Sequence, residues 1–392
     1  MISVKEAKEI LIANCCKSQL IEVSLFDSLN LFLAEDIFAP INVPSFNQSA
    51  MDGYAFKFSD IESKITIIDE IAAGDLRDVE IKKGEAVRIF TGAKVPESCD
   101  TVVMQELTVV ESGQLSVKDV GLKIGGNIRE EGHQINQGDL ALEKGTKINP
   151  AAIGFLASLG VVSIKVHQKP RVTILATGNE LVKTGNTLQK GQVYESNTLM
   201  LQSALNNLDI EAETVFLIDD FEETKSAINK ALDNSDLLIL SGGISVGDYD
   251  FVKPALEEND VEQLFYKVKQ KPGKPLFFGK KNKKLVFALP GNPAAALNCF
   301  YLYVQPAINI QLGNPKPFLV KTTLPINQSY KKKSGRAEFL KAFSNGNNVN
   351  LLEGQGSDVL LSFAKANCLV FLSDEIDNIE KGDLVEVHML PG

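Results

Sequence analysis

The segment Asp236-Leu-Leu-Ile-Leu-Ser-Gly-Gly-Ile-Ser-Val-Gly-Asp248 sets an apolar run of strand length directly against a glycine-rich loop. Three other segments repeat the arrangement. Residues 171–176 end at Thr177-Gly178-Asn179-Glu180, 212–218 end at Asp219-Asp220, and 285–289 end at Pro290-Gly291-Asn292-Pro293, ahead of a helix-like run over 294–303. Short buried strands alternating with helices predict an α/β domain on a doubly wound parallel sheet spanning 169–312. Such sheets bind ligands beyond the carboxyl ends of their strands. Most of the unusual polar residues of this segment stand at those four ends.

Working outward, Ser3 with Glu6 makes a capping-box pattern, and apolar residues at Val4, Ala7, Ile10 and Leu11 continue it as a helix to about Asn14. A second helix is expected over 25–34. Between 46 and 146 the pattern changes to short β-like runs (66–71, 86–90, 101–104, 107–110) separated by glycine-containing turns, which predicts an irregular β-rich module. Asn149-Pro150 then opens a short apolar helix ended by Gly160. The expected organisation is a helical linker domain (1–45 plus 147–168) carrying a β-rich insert (46–146), then the α/β domain (169–312) and a β-barrel or sandwich (313–392).

Composition limits the function classes. With 392 residues, a hydrophobic content of 44% and a charged content of 23%, the chain is globular and long enough for several domains. A net charge of −10 argues against a general nucleic-acid binder, whose affinity rests on a basic face. Five cysteines without a C-x-x-C, and three scattered histidines, give no zinc or Ser–His framework and fit a reducing cytoplasmic setting. No signal peptide is expected, and the longest near-apolar stretch is too short to cross a bilayer.

Several constellations could carry chemistry. Glu180, Asp219, Asp248 and Asp250 follow apolar β runs, so a wound sheet would gather them at one crevice. Carboxylates beside a phosphate suit magnesium, which takes oxygen ligands and shares substrate phosphates. Taken singly, each acid is better explained as a solvated loop residue or a helix cap; the shared location favours a site. The loop holding Gly242, Gly243, Ser245 and Gly247 offers backbone N–H groups and hydroxyls to an anion. It lacks the Walker lysine and the G-x-G-x-x-G order, and a tight turn needing positive φ explains it equally well. Lys267, Lys271 and Lys274, stiffened by Pro272-Gly273 and Pro275, could seat an oxyanion as point charges, although composition alone favours a solvated hairpin. Pro290 and Pro293 lead into a helix whose N-terminus favours anions. Asp52-Gly53 and Thr91-Gly92 read as turns. The residues alone reach an α/β protein whose crevice suits a magnesium-bound, phosphorylated anion.

Pro44-Ser-Phe-Asn-Gln-Ser-Ala-Met-Asp-Gly-Tyr-Ala55 closely resembles the signature at the linker-to-insert junction of MoeA-type molybdenum insertases, a family that includes the matching domain of gephyrin and its plant counterparts. The resemblance continues in order through Ile89-Phe-Thr-Gly-Ala93, Gly126-Asn-Ile-Arg129, Ala176-Thr-Gly-Asn-Glu-Leu181, Ser241-Gly-Gly-Ile-Ser-Val-Gly247 with Asp250, Lys271-Pro-Gly-Lys-Pro275, Leu289-Pro-Gly-Asn-Pro293 and Gly335-Arg-Ala-Glu-Phe339. It spans nearly the whole chain.

The resemblance implies a homodimer whose active site lies between the α/β domain of one subunit and residues of the other. The implied substrates are molybdate and adenylylated molybdopterin; the phosphoanhydride is cleaved with magnesium, AMP leaves, and the dithiolene sulfurs hold molybdenum. Carried over by residue, Glu180 and Asp250 position magnesium or the phosphates, with Asp219 a third acid. The backbone of 242–247 holds the phosphate side. Lys267, Lys271 and Lys274 form the basic cluster; Lys271, Lys274, Arg336 and Ser357 are the implied molybdate seat. Asp52, Thr91 and Arg129 match insert-side residues that approach the site, and Pro290 and Pro293 shape its loop. Implied partners are molybdopterin adenylyltransferase and apo-molybdoenzymes, with no nucleic acid or membrane. The chain departs from the family pattern at His133-Gln134, Ala294 and Asn47-Gln48. Two other readings compete: adenylyl transfer onto molybdopterin by a related α/β fold, and a non-catalytic pterin-binding scaffold.

Overall fold

The computed structural model describes residues 1–244, 251–332 and 335–391. The chain forms two compact units, Met1–Ile21 with Val166–Gly392, and Glu22–Lys165.

In the first unit the sheet expected from the sequence is present. Strands β1 (Val172–Thr177), β2 (Ala212–Leu217), β3 (Leu237–Ser241), β4 (Glu262–Tyr266), β5 (Phe277–Lys281) and β6 (Lys284–Leu289) lie in the order β2-β1-β3-β6-β5-β4. The first four run parallel. β5 and β4 are antiparallel additions at one edge. Helices α1 (Asn197–Asn206), α2 (Phe221–Asn234), α3 (Val252–Glu258) and α4 (Pro293–Cys299) complete the winding. α4 runs on through a π-helical turn, Phe300–Val304, into the helix Gln305–Gln311.

The near-continuous apolar strands reflect burial on both faces: all six residues of β1 and all five of β3 are buried. Leu175, Leu238, Leu240 and Val286 pack with Ile228 and Leu232 of α2 and with Leu256 of α3. Each such side chain contributes about 1.5–3 kcal/mol relative to exposure. The register places Ala176 opposite Ser241, and Ser241 opposite Leu289, so three strands end level.

The N-terminal helix Val4–Asn14 carries the expected capping box, with Ser3 Oγ accepting from Glu6 N–H at 3.1 Å and Glu6 Oε2 accepting from Ser3 N–H at 2.7 Å. The C-terminal segment, expected as a β-barrel or sandwich, carries strands Lys321–Pro325, Ala337–Ser344, Val349–Leu351, Cys368–Leu372 and Leu384–Met389. They form a sheet extended by the two-residue strand Gln270–Lys271, which pairs with Ala337 and Glu338. Beyond Lys321–Pro325 the chain turns back on this sheet: Ile326 bridges Val349, and Asn327 N–H donates to the Val349 carbonyl at 3.0 Å.

The second unit holds a six-stranded sheet ordered Thr101–Met104, Gly53–Phe56, Glu85–Ile89, Ile65–Ile71, Gln114–Val117, Thr108–Glu111. Gly53 opens a strand rather than serving as a turn residue. A Cβ there would stand 1.8 Å from the Val103 carbonyl oxygen, so the neighbouring strand admits only glycine. The helix expected over 25–34 is absent. One 3-10 turn, Phe26–Ser28, forms, and Asn30 then takes a φ of 65°. Beyond it the backbone bonds outward instead: Asn30 N–H and Leu33 N–H donate to the carbonyls of Ile148 and Thr146. Tertiary pairing overrides helical spacing here. The second apolar helix does form, over Pro150–Ser158, capped by Asn149 Oδ1 on Ala152 N–H.

His388 is buried in strand Leu384–Met389, against the rings of Phe339 and Phe371, with Nε2 2.6 Å from Glu386 Oε1. Burial pushes its pKa down from 6.5 to about 4, with Lys8 and Lys321 adding to the shift and Glu386 opposing it. Between those values the unfolded chain takes the proton first, so stability falls as pH drops from 6.5 to 4 and levels off below. The loss is on the order of 3 kcal/mol. We expect the apparent unfolding midpoint of the chain to drop more steeply over that range than in His388→Phe, measured by thermal unfolding across pH; parallel profiles would contradict a neutral buried imidazole.

Candidate active site

The carboxyl ends of β1, β3 and β6 enclose a crevice of about 640 Å3, lined by Thr177, Gly178, Glu180, Asp219, the 241–244 segment, Pro275 and the 290–293 loop, among others. That size is ordinary for a small-molecule site, roughly 300–1,000 Å3.

Its floor needs residues without side chains. Gly242 and Gly243 take φ of 92° and 64°. A Cβ on Gly242 would lie 3.1 Å from the Thr177 carbonyl oxygen, and one on Gly243 would lie 2.6 Å from Val252 Cγ2. Gly242 N–H donates to the Leu289 carbonyl at 3.2 Å, so this amide closes the turn and is not offered to a ligand. Ser245, Gly247, Asp248 and Asp250 lie outside the described residues.

Two expected acids, Glu180 and Asp219, line the rim. Glu180 is exposed beside Gly178, where an added Cβ would come within 2.9 Å of Glu180 Oε2. Asp219 and Asn179 exchange hydrogen bonds: Asn179 N–H donates to Asp219 Oδ2 and Asp219 N–H donates to Asn179 Oδ1, each at 3.1 Å. This exchange ties the ends of β1 and β2 together. Asp219 Oδ1 and the Glu180 carboxylate are hard oxygen donors that fit a magnesium ion completing its shell with phosphate oxygens and water. Among the described residues, no group of three or more His, Cys, Asp or Glu forms a cage by itself.

Lys271 is not a free cation: its Nζ is 3.2 Å from Glu338 Oε1, and the Glu338 side chain is fully buried. Tyr330 OH donates to the same carboxylate at 2.8 Å; burial, the hydrogen bond and the charge push its pKa well up. Lys267 takes a φ of 69°, with Nζ 4.9 Å above the Tyr266 ring, and Tyr266 OH donates to the Ile244 carbonyl at 2.6 Å. Lys274 is exposed. Gly273 between them packs so closely that an added Cβ would come within 2.4 Å of Cys299 Sγ in α4. Asn298 Nδ2 also donates to the Pro272 carbonyl, at 3.3 Å. The lysine turn therefore rests on the helix that leaves the crevice, and its neighbour Pro275 lines the crevice.

Ser357 joins the site through Asn292. Asn292 Nδ2 donates to Ser357 Oγ at 2.8 Å, and the Ser357 carbonyl accepts from Ala295 N–H at 3.0 Å. One N–H of the α4 N-terminus is thus already satisfied. The Ser357 loop is held by Lys341, a buried residue whose ammonium donates to the carbonyls of Gly354, Gly356 and Val359 at 2.8–3.0 Å. Arg336 stands half-buried just before strand Ala337–Ser344.

In the other unit, Asp52 Oδ1 accepts from both Thr91 N–H and Thr91 Oγ1, each at 2.8 Å. The Thr91 amide, and then its hydroxyl, hold the carboxyl below its ordinary pKa. Arg129 lies in a two-residue strand paired with Gln48.

Asn197 was missed by the sequence reading. Its Nδ2 donates to Ser241 Oγ at 3.0 Å and to the Gly291 carbonyl at 2.8 Å, linking the two loops that wall the crevice. Its sequence signal is slight, since Ser196-Asn197 at a helix start reads as an ordinary cap. Glu195, also lining the crevice, is buried and accepts from Thr198 N–H at 2.8 Å.

Residues 2–160 match the family described as the MoeA N-terminal region (domain I and II), 173–309 the probable molybdopterin binding domain, and 323–390 the MoeA C-terminal region (domain IV). A molybdopterin molybdenumtransferase of Haemophilus influenzae is 38% identical over 381 residues, covering 93% of each chain. The chain belongs to the MoeA family. A Bacillus subtilis protein of the same name is 33% identical, covering 94% of this chain and 89% of its own. Two structures of the molybdopterin biosynthesis MoeA protein from Pyrococcus horikoshii superpose over all of both chains, with TM-scores of 0.86 and 0.84 at 29% and 26% identity. The crevice, with Glu180, Asp219 and both glycine loops, lies within the stretch matched as molybdopterin-binding. Among the described residues, no helix is long and apolar enough to cross a membrane.

Asn197→Ala should loosen the two loops by about 1 kcal/mol per lost hydrogen bond and raise KM for the pterin substrate more than it lowers kcat. Asn197→Asp should not rescue it, because the Gly291 carbonyl needs a donor. Unchanged KM in both variants, measured by steady-state kinetics, would remove Asn197 from the site.

Proposed function

We infer that this chain transfers molybdenum into molybdopterin during molybdenum-cofactor synthesis. The observation that carries the reading is the coincidence of the crevice with the part of the chain matched as molybdopterin-binding, in a chain 38% identical to a molybdopterin molybdenumtransferase. The tricyclic pterin is a small, polar, phosphorylated ligand, and the glycine floor lets its phosphate side approach the backbone at Gly243.

The finer chemistry is proposed as follows. The substrate is adenylylated molybdopterin, whose phosphoanhydride lies toward Glu180 and Asp219, joined by Asp250 through the family resemblance. Magnesium held there by Glu180 and Asp250 would neutralise charge on the phosphates. Glu180 and Asp219 orient the bridging phosphates, and the Asn179–Asp219 exchange keeps the second acid in place. Lys271, Lys274, Arg336 and Ser357 seat molybdate near the dithiolene, with Lys271 held by Glu338; Lys267, over Tyr266, extends the positive field. Attack of water on the phosphoanhydride releases AMP and leaves the other phosphate on the pterin, while the two dithiolene thiols displace two molybdate oxygens, which leave as water with protons from the thiols and solvent, so that the sulfurs hold molybdenum. Pro290 and Pro293 keep the loop's shape and take no part in bond making.

The four-domain division, with a linker split around the insert and a C-terminal barrel, belongs to the same proposal. So do a cytoplasmic homodimer as the working form, participation of Asp52, Thr91 and Arg129, and exchange with a molybdopterin adenylyltransferase and apo-molybdoenzymes.

Glu180→Ala tests the reading directly. Its side chain is exposed, so the fold should be unaffected, while molybdate-dependent AMP release should fall by about two orders of magnitude or more. Substrate affinity, measured by pterin fluorescence, should change far less. AMP release at the wild-type rate would refute the role.

A further inference from the structure

The sheet of the first unit has a second ligand-sized opening, at the amino ends of its strands and so opposite the crevice. Arg171, Asp236 and Lys283 sit just before β1, β3 and β6, and they line a groove of about 820 Å3 with Lys17, Lys169 and Gln311. In a chain of net charge −10 this groove carries four cations against one acid. Arg171 is neutralised by Asp236, with Nε and Nη2 each 3.2 Å from the carboxylate. Lys17, Lys169 and Lys283 have no ion-pair partner among the described residues.

A second observation points to a ligand. Gln311 is 5% exposed, and its Oε1 is buried without a hydrogen-bond partner among the described residues. Buried polar atoms are nearly always satisfied, and this orphan belongs to a residue of the groove wall, where a turn of the carboxamide would offer it to a donor from outside the chain. The wall is also fixed in advance. Ser18 N–H donates to the Gln311 carbonyl at 2.9 Å, the Ser18 carbonyl faces His167 Nδ1 at 2.9 Å, and Gln168 N–H donates to the Gln19 carbonyl at 2.8 Å.

We propose that this groove is a second binding site, for a phosphorylated small molecule that also carries an N–H or O–H donor, such as a nucleoside monophosphate or a sugar phosphate. The lysines take the phosphate as point charges, and Gln311 Oε1 accepts from the donor group. The volume lies within the ~300–1,000 Å3 of small-molecule sites.

The chain carries its own reporter. Cys16 lines the groove and is exposed, whereas Cys15, Cys99, Cys299 and Cys368 are buried. Alkylation of Cys16 by neutral iodoacetamide, followed by mass spectrometry on the full-length protein, reads this groove and not the crevice. AMP at ten times its Kd should slow the reaction about tenfold, because only the ligand-free fraction reacts. Ribose 5-phosphate in place of AMP would place the donor on the sugar; protection by AMP alone would place it on the base. Adenosine, inorganic phosphate and sulfate should protect little. The triple variant Lys17→Ala, Lys169→Ala, Lys283→Ala should lose protection while retaining AMP release from the crevice, and Gln311→Leu should weaken it. Equal protection by adenosine or sulfate, protection surviving the triple variant, no protection by either phosphorylated compound, or a Cys16 that does not react in the native protein would each overturn the proposal.

Discussion

Three parallel strands end level, and the glycine turns that follow them pack backbone against backbone. Gly242 N–H reaches the Leu289 carbonyl, Gly242 lies against the Thr177 carbonyl, and a Cβ on Gly291 would come within 3.8 Å of Gly242 Cα. This backbone contact fixes where β1, β3 and β6 hand over to their loops. With the glycines in place, Glu180 and Asp219 are carried to one rim, and Asn197 can bridge Ser241 to Gly291. A side chain on Gly243 would meet Val252 and force the turn away from α3, opening the floor of the crevice.

The second tier of organisation is the attachment of the C-terminal sheet to this crevice. Gln270–Lys271 pairs with Ala337 and Glu338, and Lys271 meets the buried Glu338. Leaving that carboxylate buried without its lysine would be costly, so the pair fixes geometry more than it adds stability. Lys341 does similar work for the Ser357 loop, where three carbonyls converge on one ammonium. Together these contacts bring Ser357 to Asn292 and seat the lysine turn on α4.

Much of this was legible in the sequence, for identifiable reasons. The four parallel strands declared themselves because burial on both faces demands unbroken apolar runs, and their glycine- or acid-bearing ends marked the crevice. The Ser3–Glu6 capping box and the Asn149 cap are local signals, and both appear as read. What depended on distant partners was not legible. The spacing over 25–34 imitates a helix, yet its backbone bonds to 146 and 148. Lys271 looks like a free cation until Glu338, far along the chain, is placed beside it. Gly53 reads as half of an Asp-Gly turn because the Val103 carbonyl that excludes a Cβ lies on another strand. Asn197 has no distinctive neighbours, and only the fold shows it between two loops. Asp250, Ser245 and Gly247 fall outside the described residues, so their placement rests on the family resemblance.

Reconstitution in vitro decides whether the crevice at these strand ends performs molybdenum insertion. Purified protein would be mixed with adenylylated molybdopterin, magnesium and molybdate, and scored by AMP release and by activation of an apo-molybdoenzyme. AMP release should require both protein and molybdate and should accompany activation. ATP-dependent adenylylation of molybdopterin without insertion, or pterin binding without turnover, would contradict this role.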